Sequence, residues 1–231
     1  MSFDLSSMQL GQIITAIGGL GTAAFGLVDA TKVFWGGVNR IGFGKIEETV
    51  TGLTPGTAVN GLSQAKVIGT LRANWYNGLD LGSQKAIAKS LIKLDLNAGN
   101  AAAIADAAGV DRAMLQSVAA KMAAGTALTS SESDVYARFD LIVTAILDEA
   151  YQDGDQRYTN GTRTWAGFFA VLLALVGGWV VNGAGFGQYA ASGDLWRALL
   201  VGVLAVPLAP VAKDLSSALV AAVNSMQLFK K

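Results

Sequence analysis

Three strongly apolar stretches of the chain carry no charged residue: residues 5–28, 164–193 and 198–212. Elsewhere apolar residues recur every three or four positions among lysines and aspartates, which is a helical period. A bilayer core of about 30 Å takes about 20 apolar residues in a helix. The stretch from Thr164 is long enough, and the stretch from Ala198 covers only roughly 22 Å at helical rise. The latter reaches a full span by borrowing Leu195 and Trp196, or it re-enters on one side. Together they predict a membrane hairpin, with the glycine-rich segment 182–193 as its turn. Residues 5–28 predict one more span. A cleaved signal peptide would begin with basic residues, and only Asp4 precedes this run.

Within the first apolar run Gly18, Thr22 and Gly26 recur every four residues, as do Thr15, Gly19 and Ala23. Small residues at that spacing let two helix backbones approach closely in lipid, so Gly18, Thr22 and Gly26 are the expected helix-packing face. Trp35, Trp165 and Trp196 stand at the ends of the apolar runs and are the expected interface anchors. Arg197 can snorkel outward from the third run, and Pro207 and Pro210 should break or kink it. Asp29 and Lys32, one turn apart, fit a local ion pair at the water boundary. Glycines at 36, 37, 42, 44, 52 and 56 predict loop and broken helix across residues 36–55. Gly42-Phe-Gly44 lacks the preceding strand and third glycine of a dinucleotide fingerprint.

Residues 59–152 predict a soluble, helical insert. Residues 83–94 form a short amphipathic helix with Ile87, Leu91 and Leu94 on one side and Lys85, Lys89 and Lys93 on a solvated side. A helix over residues 100–108 ends at Gly109, and Asp111 caps the next, which runs to about Ala124. Thr129 and Glu132 form a capping box for a longer helix with Val135, Phe139, Ile142, Ile146 and Leu147 on its apolar side. Residues 103–118 have the spacing of a helix-turn-helix, but Asp106 and Asp111 oppose the few basic residues a DNA-reading helix needs, so nucleic acid is not an expected partner. Asp148, Glu149, Asp153 and Asp155 lack the glycine and distal glutamate of a calcium loop and predict a solvated helix end. The tail, with Leu215, Leu219, Ala222, Met226 and Phe229 at helical steps, predicts an amphipathic helix over 214–231.

Composition sharpens this reading. Charged residues make up 15% of the chain and hydrophobic ones 52%, against about a quarter charged in a soluble domain. Mean hydropathy is +0.43. Lysine plus arginine and aspartate plus glutamate both number 17, so no net charge attracts nucleic acid. With no histidine and no cysteine, the commonest general base, thiolate chemistry and disulfides are all absent. No catalytic residue, cofactor or metal site is expected. The basic residues Lys32, Arg40, Lys45, Arg157, Arg163 and Lys213 flank the spans on one side, which predicts the N-terminus outside and residues 36–160 and the C-terminus in the cytoplasm.

Asp155-Gln-Arg157-Tyr158 before a span, then Leu195-Trp196-Arg197, then a proline-bearing apolar run closing on Asp214-Leu215, resemble a family of uncharacterised bacterial inner-membrane proteins. That family has one N-terminal span, a helical cytoplasmic insert and a C-terminal transmembrane pair. The chain departs from it in having an isolated Arg163 and no aromatic residue after Pro210. The resemblance implies a topology and a bacterial inner membrane, and no reaction. The expected fold is therefore all-α and polytopic. Its parts are a first transmembrane helix (1–35), a cytoplasmic helical region (36–160), a transmembrane hairpin (161–213) and an amphipathic C-terminal helix (214–231). The expected role is a non-enzymatic anchor or scaffold in the lipid bilayer, self-associated or bound to another protein subunit. A small oligomeric channel is the alternative.

Overall fold

A computed structural model describes residues 7–56 and 62–228, with the side chains of 7–11, Trp35 and 215–228 outside the described set. Every regular element among the described residues is a helix: α1 (Ser7–Trp35), α2 (Gly37–Leu53), α3 (Gln64–Tyr76), α4 (Leu81–Asp95), α5 (Ala101–Ala108), α6 (Arg112–Ala124), α7 (Ser130–Asn182), α8 (Phe186–Ala190) and α9 (Gly193–Leu228). Three of them hold segments long and apolar enough to cross a membrane: Gln12–Phe34 in α1, the apolar end of α7, and Gly193–Asp214 in α9. The third run thus reaches spanning length by taking in Leu195 and Trp196. The chain divides into two compact units. Asn39–Thr159 forms one; the chain up to Val38 and from Asn160 onward forms the other.

The Asn39–Thr159 unit is a water-type helical fold. Its core gathers Phe43, Ile46, Val50 and Leu53 from α2, Leu71 and Trp75 from α3, Ile92 from α4, Leu115 from α6, and Phe139, Val143 and Leu147 from α7. The starts of α3, α4 and α6 are capped by side chains. Ser63 accepts from Lys66 N, Asp80 from Ser83 N and Asp111 from Met114 N, each satisfying an amide that the helix leaves without a partner. Gly109 and Gly125, with φ +65° and +67°, close α5 and α6 in the left-handed conformation that glycine adopts without strain. The capping box at the head of α7 forms as expected: Glu132 accepts from Thr129 N, and Thr129 Oγ1 accepts from Glu132 N.

Three expectations fail here. Residues 36–55 are not broken helix, because the break is confined to Gly36 and α2 runs from Gly37 to Leu53. Gly42 belongs inside that helix because a side chain there would meet Trp75, the Gly154 carbonyl and Tyr158 at 2.6–2.8 Å. Gly42 and Gly154 are where α2 and α7 cross at backbone distance. The acidic residues 148–155 do not end a helix either. α7 continues through them for 53 residues, with Gly154 filling the crossing and no proline to stop it. Finally, α4 buries Gln84, Ala88, Ile92 and Asp95; of its expected apolar side, Ile87 and Leu91 do pack partly buried against the core, and only Leu94, 71% exposed, faces away.

In the other unit α9 contacts α1, the apolar end of α7 and α8. Pro207 and Pro210 lie inside α9 without ending it. Each removes one N–H from the ladder, and the turns on either side hold. The backbone of the tail continues α9 to Leu228 without interruption; the apolar side chains expected at Leu215, Leu219, Ala222, Met226 and Phe229 lie outside the described residues.

Candidate functional site

The apolar helices meet on small residues. On α1 the buried positions are Gly18, Gly21, Ala24 and Val28. On α9 they are Ala198, Gly202, Ala205, Ala209 and Ala212, alternating steps of four and three, the spacing of a continuous packing seam. On α7 they are Ala166, Ala170 and Ala174, with Gly178 next at the same step of four. A methyl group on Gly21 would collide with the Ala205 carbonyl, and one on Gly18 with Ala212. One on Gly202 would lie 2.6 Å from Val171 Cα, and one on Gly178 3.2 Å from Ala198 Cβ. In a medium where apolar side chains gain nothing by leaving lipid, such close backbone approach supplies the packing energy.

Of the expected packing face, Gly18 alone is in this contact. Thr22 is exposed, with its hydroxyl donating back to the Gly18 carbonyl at 3.1 Å, and Gly26 has open space where a side chain would be. Gly21, Ala24, and the small-residue rows of α7 and α9 were missed; the four-residue repeat 166–170–174–178 was visible in the sequence. The pairing of Gly18 with Ala212 and of Gly21 with Ala205 runs α1 antiparallel to α9. The pairing of Gly178 with Ala198 and of Val171 with Gly202 runs α7 antiparallel to α9 as well. Three successive crossings with one intervening region on a single side would make α1 and α9 parallel, so this register and that threading exclude each other.

Among the expected interface anchors, Trp165 is 47% exposed and packs edge-on against Phe168. Trp196 is 68% exposed. The side chain of Trp35 lies outside the described residues. Trp179, not singled out from sequence, donates to the Ala184 carbonyl at 3.1 Å and stacks edge-to-face with Phe186 in the hairpin turn. Near that turn α7 and α9 part to leave an open groove of about 470 Å³, walled by Ala174, Gly177, Gly178 and Val181 on one side and Ala198 and Val201 on the other. Asp194 closes its end, accepting from Asn182 at 2.9 Å and from Arg197 at 2.9 Å. At the far end of α1, Asp29 and Lys32 form the expected ion pair at 2.6 Å.

In the Asn39–Thr159 unit the lysines of α4 are not merely solvated. Lys85 pairs with Asp148, and Lys89 and Lys93 both reach Asp140, at 3.1 and 2.9 Å. Lys93 also sits 5.0 Å over the Tyr136 ring. The Lys93 bond holds the Asp140 carboxyl below its usual range and raises Lys93 in turn. Glu132 accepts from Lys121, Ser117 and Thr129, and these bonds, that of Lys121 first, lower it from 4.5 to about 2. Tyr151, buried behind Trp75 without a partner for its hydroxyl, is pushed up to about 12 by desolvation. The helix-turn-helix-like segment does fold as α5, turn and α6, with Arg112 held by Asp106 and Lys121 by Glu132. Of the acidic cluster, Asp148 is taken by Lys85 and Asp153 by Arg157. Among the described residues no group of three or more acidic side chains is placed to hold a metal.

No protein-family model, no curated protein and no solved structure matches this chain.

Proposed function

We propose that the protein is a non-enzymatic anchor or scaffold subunit of the bacterial inner membrane, with Asn39–Thr159 as its cytoplasmic, partner-binding part. The observation that carries this reading is the make-up of the apolar helix contacts. Among the described residues they close mainly on alanine and glycine, and no charged side chain is buried there. Pumps and transporters keep such groups inside the bilayer. The resemblance to inner-membrane proteins with an N-terminal span, a helical insert and a C-terminal pair supports the same reading. So does the basic flank Arg157 and Arg163 before the apolar end of α7, which favours the insert and the C-terminus inside.

The test is native extraction in mild detergent followed by mass determination. A complex of fixed stoichiometry, with further copies or with a second subunit, is expected. A lone monomer overturns the scaffold reading, and conductance steps after reconstitution would transfer the case to the channel reading. The threading has its own test, and the cysteine-free sequence makes it clean. An impermeant thiol label should fail to reach Ala98→Cys in intact cells. For α1, the charge pattern puts the N-terminus outside. The same label should reach Ser7→Cys, at the head of α1, if the three spans alternate. It should fail to reach it if α1 keeps its antiparallel register to α9 in the membrane.

A further inference from the structure

The groove between α7 and α9 is graded in polarity along its length. Its walls are apolar, and its end at the hairpin turn carries Asn182, Asp194 and Arg197. That is the order of an amphiphile lying along a membrane helix, tail toward the bilayer centre and head at the surface. We propose that the groove holds one phospholipid with a zwitterionic, primary-ammonium headgroup. The site rests on the membrane reading above.

Charge decides the headgroup. Asp194 and Arg197 cancel, so an anionic lipid gains no net attraction at the rim. A zwitterion meets both signs. Arg197 donates one bond to Asp194 and remains 77% exposed, so the rest of its five-donor fork is available to a phosphate. An ammonium has three donors for the Asp194 carboxylate and for the carbonyls at the C-terminal end of α7, which carries the negative pole of the helix. A quaternary ammonium has no N–H and loses those bonds.

The walls fit an acyl chain. Gly177 lies where a side chain would meet nothing within 4 Å, so its lack of one keeps the slot open. Gly178 is different: it is required by packing, because a side chain there would strike the Tyr189 hydroxyl at 2.6 Å. That hydroxyl is buried behind Gly178, and Tyr189 does not line the groove, so the polar contacts to a lipid come from Asn182, Asp194 and Arg197. The volume falls in the range of about 300–1,000 Å³ usual for small-ligand sites.

The experiment uses the full chain in detergent, with native mass spectrometry during additions of phosphatidylethanolamine, phosphatidylcholine or phosphatidylglycerol. One ethanolamine lipid per chain should be retained, roughly tenfold more tightly than either of the others, as the loss of a hydrogen bond to a charged group implies. Gly177→Leu should abolish retention by filling the slot, and Arg197→Gln should weaken it roughly tenfold. Gly167→Leu, also facing open space on α7, should leave it unchanged. Equal retention of the three lipids, or unimpaired binding by Gly177→Leu, overturns the site. A chain that stays dispersed without detergent overturns the membrane reading instead, so the two failures are distinct.

Discussion

The two units are built from the same secondary structure and opposite interiors. In Asn39–Thr159 the buried residues are large, among them Phe43, Leu71, Ile92, Phe139 and Leu147, and the outside is studded with ion pairs such as Lys93–Asp140. In the apolar helices the buried residues are Ala166, Ala170, Gly202, Ala205 and Gly21, and the large ones face out: Phe168, Leu172, Val176, Leu200 and Val203. Tyr189, in the hairpin turn, is the large buried exception. The first arrangement is what water selects, since removing large apolar surface from it is worth about 25 cal/mol per Å². The second is what lipid allows, since large side chains are already solvated there and only close packing remains to be gained. On the membrane reading proposed above, the contrast is one between two solvents, read from which residues turn inward.

The largest expected effect is in the water-type core. Phe139→Ala should cost about 3–5 kcal/mol, seen as lost hydrogen-exchange protection in α4 and in the part of α7 around it. A cost below about 1 kcal/mol, within the range of surface changes, would mean this unit has no core of the kind described. Next comes a matched pair at equal exposure. Val203 is 61% exposed and Leu141 70%. Val203→Lys, at the middle of the apolar part of α9, should cost about 3 kcal/mol of membrane insertion, measured as the integrated fraction. Leu141→Lys should shift unfolding by no more than about 0.5 kcal/mol. Equal responses would break the two-solvent account.

Smaller again is the pair Gly21→Ala and Gly26→Ala. The first forces α1 off the Ala205 carbonyl and should cost about 1–3 kcal/mol in detergent melts. The second meets open space and should be neutral or stabilise by up to about 1 kcal/mol through helix propensity. The subtlest effect is in pH. Glu132 titrates lower in the fold than the 4.5 it has when free. Its contribution is complete above about 4.5 and disappears as pH falls toward about 2. Glu132→Gln should flatten the acid limb of the stability curve over that window while lowering stability at neutral pH.

Much of the helical layout could be read in advance. The Asp111 cap, the glycine ends at 109 and 125, and the Thr129–Glu132 box obey local rules that need no partner element. The span lengths follow from runs without charge. What misled was glycine. Gly42 looks like a break in one dimension, yet it admits the backbone of Gly154, a fact about two segments far apart in sequence. The same holds for the candidate interface. The Gly18–Thr22–Gly26 row was chosen by a period, and a period cannot say which of several small faces meets a neighbour.

By itself, then, the sequence determined which segments can enter lipid, where helices start, and that chemistry relying on histidine or cysteine is absent, because these depend on local composition and on hydrogen bonds a few residues long. Only the tertiary structure decided that α9 takes α1 and α7 on its small-residue seam, that α1 runs antiparallel to it, and that the lysines of α4 find acids on α7. Those outcomes depend on close contact between residues distant in the chain, where a methyl group more or less separates a fit from a collision.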